Sequence, residues 1–161
     1  MQLDPNSEIK LQRIMPWLAD RIRQMADILI LDPQPIKLIV SAGLRTWAEQ
    51  DALWDRGRVT PGHIVTNAKG GQSWHNFGCA VDCEPEIKDG TIDWNSDHPQ
   101  WKRMETVGVS VGLSSGAYWI RIVDAPHFQY VKPYPESEPD DMVRETYLNE
   151  GLDGLWDTII V

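Results

Sequence analysis

Cysteine, long apolar segments and clustered basic residues are all scarce in this chain of 161 residues. The two cysteines, Cys79 and Cys83, cannot form a disulfide framework. If both lie on one strand, their Cα atoms are roughly 13 Å apart, which is too far for a bridge. We therefore expect two small, buried apolar side chains. The chain also has no run of about 18 apolar residues, so neither a transmembrane helix nor membrane insertion is expected.

The charge balance argues against two further classes of partner. Lys and Arg number 15 against 24 Asp and Glu, which gives a formal net charge of -9. Recognition of phosphate needs clustered Lys and Arg, so nucleic acid is not an expected partner, and no polybasic patch for anionic lipid is present. Residues 136–161 contain eight acidic residues and one basic residue, so this segment carries about -7 of the net charge of -9. Residues 1–5 lack the basic and apolar regions of a secretory signal, so we expect synthesis in the cytoplasm.

The composition, 42% hydrophobic and 24% charged, is typical of a soluble globular protein with one domain. Apolar periodicity and turn residues predict helices and strands along the whole chain. The predicted helices are residues 8–31 capped by Ser7, Thr46 to about Trp54, a helix capped by Ser96 or Asp97 and ending near 107 or 109, and about 140–150. The predicted strands are residues 37–41, 79–84, 118–123 and 127–131, with a long loop over 58–78 and a hairpin turn at Asp89 and Gly90.

This order of elements predicts an α+β fold with a small antiparallel sheet flanked by helices. We expect residues 1–135 to form one domain. Residues 136–161 are then an acidic helical extension that packs on the same domain, and the protein is expected to be a monomer.

Two short segments carry the candidate chemistry, residues 73–82 and residues 124–128. In the first, His75 ends the long loop and Asp82 lies in the strand that follows. Gly78 and Ala80 share the strand face of Asp82, and such small residues leave room for an ion or ligand. A histidine and an aspartate are part of a zinc site, because catalytic zinc commonly takes three protein ligands and a water.

The second segment can supply the third ligand. His127 opens a predicted strand, and Asp124 precedes it by three residues across a bend that contains Pro126. A carboxylate that does not bind the metal can take a proton from the attacking water and return it to the leaving amine. Each segment alone is also compatible with a buried histidine that pairs with a carboxylate.

Together these residues resemble a known family. Ser73, His75, Gly78, Ala80 and Asp82, then Asp124 and His127, are similar to the signature Ser-x-His-x-x-Gly-x-Ala-x-Asp followed by Asp/Glu-x-x-His. This signature belongs to the zinc D,D-carboxypeptidase and L-alanyl-D-glutamate endopeptidase family, which includes phage endolysins. The resemblance covers about residues 37–131. It implies a fold like that of hedgehog and DD-peptidase domains, with Zn²⁺ held by His75, Asp82 and His127.

The resemblance also implies roles for other residues. Asp124 would be the general base, and Arg45 would polarise the scissile carbonyl. Gln50, Gln72 and Ser73 are expected to contact substrate or the residues around it. Trp74 and Trp119, near the proposed metal, are the tryptophans expected to line the substrate cleft. The sequence departs from the family at residues 114–116, Ser-Ser-Gly, where relatives often have a Trp-Gly-Gly-like stretch, so one wall of the cleft is expected to differ.

The implied function is zinc-dependent hydrolysis of a stem-peptide bond in bacterial peptidoglycan. Asp124 stands where the dipeptidase branch has Glu, which favours the endopeptidase branch and hence the L-alanyl-D-glutamate bond. A D-alanyl-D-alanine carboxypeptidase is the alternative peptidase. Synthesis without a signal peptide fits a phage or prophage endolysin that acts on the cell wall. Two alternatives remain open at this point: a non-catalytic zinc-containing module that binds the cell wall, and a glycoside hydrolase that uses two carboxylates.

Overall fold

The structure, a computed structural model, describes residues 3–86, 91–120, 123–129 and 138–159. Within them the chain forms five α-helices: α1 (Pro5–Leu11), α2 (Pro16–Ile30), α3 (Trp47–Asp55), α4 (Pro99–Ser110) and α5 (Asp141–Ile159). Four strands accompany them: β1 (Lys37–Ala42), β2 (Ala80–Glu86), β3 (Ser114–Ser115) and β4 (His127–Gln129). The strands form one sheet in the order β1-β2-β4-β3, and each neighbouring pair is antiparallel. The predicted α+β class with a small antiparallel sheet is confirmed.

The prediction of a single helix over residues 8–31 is wrong, because residues 12–15 are not helical and separate α1 from α2. Asp4, and not Ser7, caps α1 by accepting hydrogen bonds from the backbone N–H groups of Asn6 and Ser7. Pro16 begins α2 at a first-turn position, where the N–H that proline lacks has no partner within the helix. Apolar residues of both helices are buried in the same core, so the apolar periodicity continues across the break.

The second predicted helix is confirmed, and the next two predictions need correction. Thr46 caps α3 in a reciprocal capping box with Glu49. His98 caps α4, and neither Ser96 nor Asp97 does; its Nδ1 accepts from the backbone N–H of Gln100 at 3.3 Å. Residues 118–120 do not form the predicted strand: Gly116–Tyr118 is a 3₁₀ helix. The hairpin at residues 89 and 90, and residues 121, 122, 130 and 131 of the last two predicted strands, lie outside the described residues.

The two faces of the sheet have different environments. Val81 pairs with Phe128, whose ring lies so close to Gly108 of α4 that a Cβ on this glycine would approach it to 2.3 Å. Asp82 pairs with His127. Because side chains alternate along a strand, Asp82 and His127 lie on the face that points away from α4. The expectation for the cysteines is confirmed, since Cys79 and Cys83 are both buried and free.

The last helix, α5, is longer than predicted and packs against the 3₁₀ turn Trp74–Phe77. It passes through Gly151, whose φ of 73° and ψ of -167° are not helical, so α5 consists of two helical segments. The indole N–H of Trp156 donates to the carbonyl of Phe77 at 2.8 Å, and the ring of Tyr147 lies edge-on to that of Phe77 with 5.4 Å between centroids. Among the described residues no helix, α5 included, combines the length and apolar character needed to cross a membrane.

Glu105 of α4 should make the stability of the fold depend on pH. Its side chain is 1% exposed, Lys102 Nζ lies 3.5 Å from Oε2, and neither carboxylate oxygen has a hydrogen-bond partner among the described residues. Burial raises the pKa of Glu105 above its ordinary value of 4.5, an effect that the charge of Lys102 opposes. The protonated form is therefore favoured by folding. Protonated Glu105 therefore stabilises the folded state. This contribution to the free energy of unfolding is complete below pH 4.5 and is lost as the pH rises through the raised pKa of Glu105.

We expect Glu105→Gln to raise the free energy of unfolding by about 1 kcal/mol at pH 8, because it removes a buried carboxylate whose burial cost exceeds the attraction of Lys102. The gain should shrink as the pH falls toward 4.5. Denaturant unfolding at several pH values measures this difference, with Glu145→Gln at an exposed position of α5 as the matched control. A difference between Glu105→Gln and the wild type that is equal at all pH values would contradict the interpretation.

Candidate active site

His75, Asp82 and His127 converge at one point on the open face of the sheet. Nε2 of His75 lies 3.1 Å from Oδ1 of Asp82 and 3.2 Å from Nδ1 of His127, and Nδ1 of His127 lies 3.4 Å from the same Oδ1. One ligand atom from each residue lies within 4.8 Å of the other two. His75 and His127 are buried, at 3% and 5% exposure. This group could hold a metal ion.

The outer nitrogens of both imidazoles have carbonyl acceptors, which fixes where the lone pairs point. Nδ1 of His75 donates to the backbone carbonyl of Gly43 at 2.8 Å, and Nε2 of His127 donates to Oε1 of Gln129 at 2.8 Å. In the neutral form of each imidazole, the inner nitrogen then has a lone pair directed at the other imidazole and at Asp82. Metal-binding histidines almost always donate their second N–H to such an acceptor, so the donor set and its surroundings fit a divalent metal.

Three elements bring these residues together. Asp82 and His127 are direct cross-strand partners in the β2–β4 pair. Ser73 caps the 3₁₀ turn that carries His75, and Gly78 ends the turn with a φ of 65°. A Cβ on Gly78 would lie 2.9 Å from the ring of Trp156 and 3.3 Å from the Cα of Ile14. Both the positive φ and this close approach require glycine here.

Electrostatic interactions reinforce the grouping. Burial raises the pKa of Asp82, but the charges and hydrogen bonds of His75 and His127 prevail and hold this pKa well below its ordinary value. Burial lowers the pKa of His127, but Asp82 more than offsets this, so the pKa of His127 is raised. A cation between Nε2 of His75, Nδ1 of His127 and Asp82 is therefore favourable. A proton and a metal ion compete for these same atoms.

Arg45 lies beside the group and is held by two partners. Its Nη1 donates to Oε1 of Gln50 at 2.8 Å, and its Nη2 lies 3.5 Å from Oδ2 of Asp82. The backbone N–H of Arg45 also donates to the carbonyl of His75 at 2.9 Å, so the two residues are fixed relative to each other. The side chain of Arg45 is 18% exposed, and Arg45 lines the same cleft as the histidines.

Asp124 lines this cleft from the segment before β4. Its carboxyl has a raised pKa, mainly because of burial, while the charge of His127 opposes the increase. Gly116 packs against it closely: a Cβ there would lie 2.5 Å from the carbonyl oxygen of Asp124 and 3.0 Å from the Cβ of His127. A side chain at residue 116 would therefore displace both Asp124 and His127.

The cleft has a volume of about 770 Å³ and is lined by four of the five residues expected to contact substrate, namely Gln72, Ser73, Trp74 and Trp119. The ring of Trp119 lies against that of His127, with 4.8 Å between centroids. The fifth residue, Gln50, is 1% exposed. It holds Arg45 and donates to the carbonyl of Ala68 at 2.9 Å, so in the structure it supports the wall of the cleft from behind.

Two partners of the histidines were not identified from the sequence. Gln129 stands two residues after His127 on the same strand face, and a polar residue there in a buried strand is the signal that could have found it. The carbonyl of Gly43 leaves no such signal, because any residue has a carbonyl. The cleft also includes Arg56 and Glu138, which the sequence gave no reason to place in its lining.

Comparisons with known proteins find a matching family model, a related sequence and a similar fold. Residues 66–130 match the family model described as D-alanyl-D-alanine carboxypeptidase. The peptidoglycan L-alanyl-D-glutamate endopeptidase CwlK of Bacillus subtilis (strain 168) is 34% identical over 103 residues, or 60% of this chain. The match spans only 62% of the length of CwlK. The crystal structure of the Serratia marcescens L-Ala D-Glu endopeptidase ChiX has a similar fold, with a TM-score of 0.61 at 24% identity over 81% of this chain and 91% of ChiX.

Proposed function

We propose that this chain, whose residues 66–130 belong to the D-alanyl-D-alanine carboxypeptidase family of domains, is a zinc-dependent peptidase that hydrolyses a stem-peptide bond of bacterial peptidoglycan. The bond we favour is the one between L-alanine and D-glutamate. The relative CwlK is named for this activity, and the Asp at residue 124 favours the same branch.

The observation that carries the proposal is the convergence of His75, Asp82 and His127, with carbonyl acceptors on both outer nitrogens. Two imidazole nitrogens and one carboxylate are a ligand set of the kind that catalytic zinc uses, with one position left for water. We assign these three residues as the zinc ligands. Zinc bound there would activate a water molecule and polarise the scissile carbonyl.

The residues around the ligands would carry out the remaining chemistry. Asp124 would accept a proton from the attacking water and pass it to the leaving amine, for which the raised pKa of its partly buried carboxyl is suited. Arg45 would donate a hydrogen bond to the carbonyl oxygen as negative charge develops on it. Gln50 would keep the guanidinium of Arg45 in position through the 2.8 Å hydrogen bond between them.

Four further residues would hold the peptide in the cleft. Trp119 offers apolar surface beside His127, and Ser73 and Gln72 offer polar groups. Trp74 also lines the cleft, but at 6% exposure it offers only a small part of its ring. The hydroxyl of Ser73 also accepts from the backbone N–H of His75 at 3.4 Å, so this residue would act on the turn as well as on the substrate.

We also propose the organisation of the chain and its place of action. Residues 1–135 would form the catalytic domain and residues 136–161 an extension of it, for which the contacts of Trp156 and Tyr147 with Phe77 are the support. The substrate lies in the cell wall, and the resemblance to phage endolysins favours a role in lysis. We expect the protein to act as a monomer.

Product analysis tests the proposed reaction. The zinc-loaded protein should convert purified peptidoglycan into fragments with a new amino-terminal D-glutamate, which mass spectrometry detects, and EDTA should prevent this. Release of free D-alanine instead would identify the carboxypeptidase named by the family description. Cleavage that persists in EDTA without a new amino terminus would indicate a glycoside hydrolase. A metal-loaded protein that leaves peptidoglycan intact would contradict the proposed reaction and favour a binding module.

A further inference from the structure

The cleft extends beyond the histidines along one face of α3. On one side of α3, Gln50 is followed three residues later by Leu53. Arg56 comes three residues after Leu53, at the C-terminal end of the helix. Gln50 holds Arg45, and Leu53 and Arg56 line the cleft itself. A helix rises by 1.5 Å per residue, so the backbone of Arg56 lies about 9 Å from that of Gln50 along the helix axis. Arg56 is therefore a cation in the cleft that is separated from the reacting centre.

The guanidinium of Arg56 differs from those of its two neighbours. Arg45 is bound by Gln50 and Asp82. Arg58 donates to the carbonyls of Trp54 and Thr66 at 2.7 and 2.9 Å. Arg56 is exposed, and its guanidinium has no hydrogen-bond acceptor or carboxylate partner within residues 3–86, 91–120, 123–129 and 138–159. Its charge is thus available to a ligand in the cleft.

The loop after α3 supports this side chain. Gly62 lies beneath it, at a distance where a Cβ would be 3.6 Å from Nε and 3.7 Å from Cγ of Arg56. The backbone of Arg56 pairs with that of Thr60, which keeps the loop next to the end of the helix. Arg56 therefore lies along a surface of the loop at the edge of the cleft.

The proposed substrate supplies the complementary charge. D-Glutamate in the stem peptide is linked through its side chain, so its α-carboxylate is free, and the diamino acid that follows often carries another carboxylate. Guanidinium and carboxylate form paired, charge-assisted hydrogen bonds. A chain with a net charge of -9 repels such a peptide unless local cations offset the repulsion.

We propose that Arg56 is a specificity-determining residue that binds a carboxylate of the stem peptide on the leaving-group side of the scissile bond. This inference rests on the proposed function. Arg56 lines the same cleft as the histidines, and its backbone lies about 9 Å along α3 from that of Gln50, which holds Arg45. An extended peptide advances by about 3.3 Å per residue, so this offset corresponds to about three residues of bound peptide. Both sources offer the same chemical group, and the experiment distinguishes them.

The test uses three synthetic peptides that contain L-Ala-γ-D-Glu-diaminopimelate. One has all carboxylates free, one has the D-glutamate α-carboxylate amidated, and one has the diaminopimelate side-chain carboxylate amidated. Amidation of the carboxylate that Arg56 binds should lower the wild-type kcat/KM by about 10-fold or more, mostly through KM, because a charge-assisted pair is lost. Amidation of the other carboxylate should have little effect, which identifies the source.

Arg56→Gln should lose the same factor on the free peptide and should no longer distinguish it from the amidated one, while Arg56→Lys should keep part of the preference. Arg21→Gln, on α2 and away from the cleft, is the matched control. Equal kcat/KM for all three peptides with the wild type, or an unchanged preference in Arg56→Gln, would overturn the role of Arg56 while cleavage itself still supports the proposed function. No cleavage of any peptide between L-alanine and D-glutamate by the zinc-loaded wild type would overturn both.

Discussion

Asp124→Asn is expected to reduce hydrolysis of the stem peptide by about 10³-fold, because an amide cannot accept the proton of the attacking water. Asn has nearly the size of Asp, so the packing against Gly116 should survive. The backbone hydrogen bonds that hold this segment, from Asp124 N–H to Gly116 O and from His127 N–H to Asp124 O, do not involve the side chain. The effect should therefore fall on kcat and leave the metal site intact.

Two measurements separate this role from a structural one. Zinc affinity, determined by competition with a chromophoric chelator, should be close to that of the wild type, since Asp124 is not among the proposed ligands. Asp153→Asn, at an exposed position of α5, controls for the loss of one negative charge. Activity of Asp124→Asn within a few-fold of the wild type would show that another group is the base. Loss of zinc in this variant would show that residue 124 is a ligand instead.

His127→Ala should remove both the metal and the activity. The substitution deletes one of three proposed ligands and leaves Asp82 with one imidazole. Loss of a partner behind a ligand costs about 10- to 100-fold in metal affinity, so loss of the ligand itself should cost at least about 100-fold. Because a metal that binds only the folded state stabilises it, zinc should raise the melting temperature of the wild type and leave that of His127→Ala nearly unchanged.

His63→Ala is the matched control, because His63 is exposed in the long loop. It should retain both the zinc-dependent shift in melting temperature and full zinc affinity. If His127→Ala binds zinc as tightly as the wild type, then His75, Asp82 and His127 do not form the metal site, and the proposed function loses the observation on which it depends.

Parts of the fold that depend on local sequence could be predicted well. The capping box of Thr46 and Glu49 lies within four residues, and α3 begins where it indicates. The break before Pro16 was missed because apolar residues on both sides of it pack into one core, so their spacing does not reveal the turn between them. The strand predicted over 118–123 was suggested by residues with high β-propensity, but Ile120 is 93% exposed, and no partner strand covers it within the described residues.

The site shows the same division between local and distant information. Asp82 and His127 could be placed on strands, and their pairing follows once β2 and β4 are neighbours. Nothing in the sequence indicates that the carbonyl of Gly43 accepts from His75, since this contact spans 32 residues and uses only the backbone at one end. The position of Arg56 in the cleft could not be predicted either, because it depends on how the long loop folds against the end of α3.

The contacts of Trp156 and Tyr147 with Phe77 limit how far this protein can be shortened. A fragment reduced to residues 66–130 would contain His75, Asp82, Asp124 and His127, which makes it look autonomous. It would lack the indole and phenol rings that back the turn carrying His75, and it would also lack the Gly43 carbonyl that orients its imidazole. Residues 66–130 alone would therefore lack part of the support for His75. A shortened protein would also have to include the segment with Gly43 and the helix with Tyr147 and Trp156.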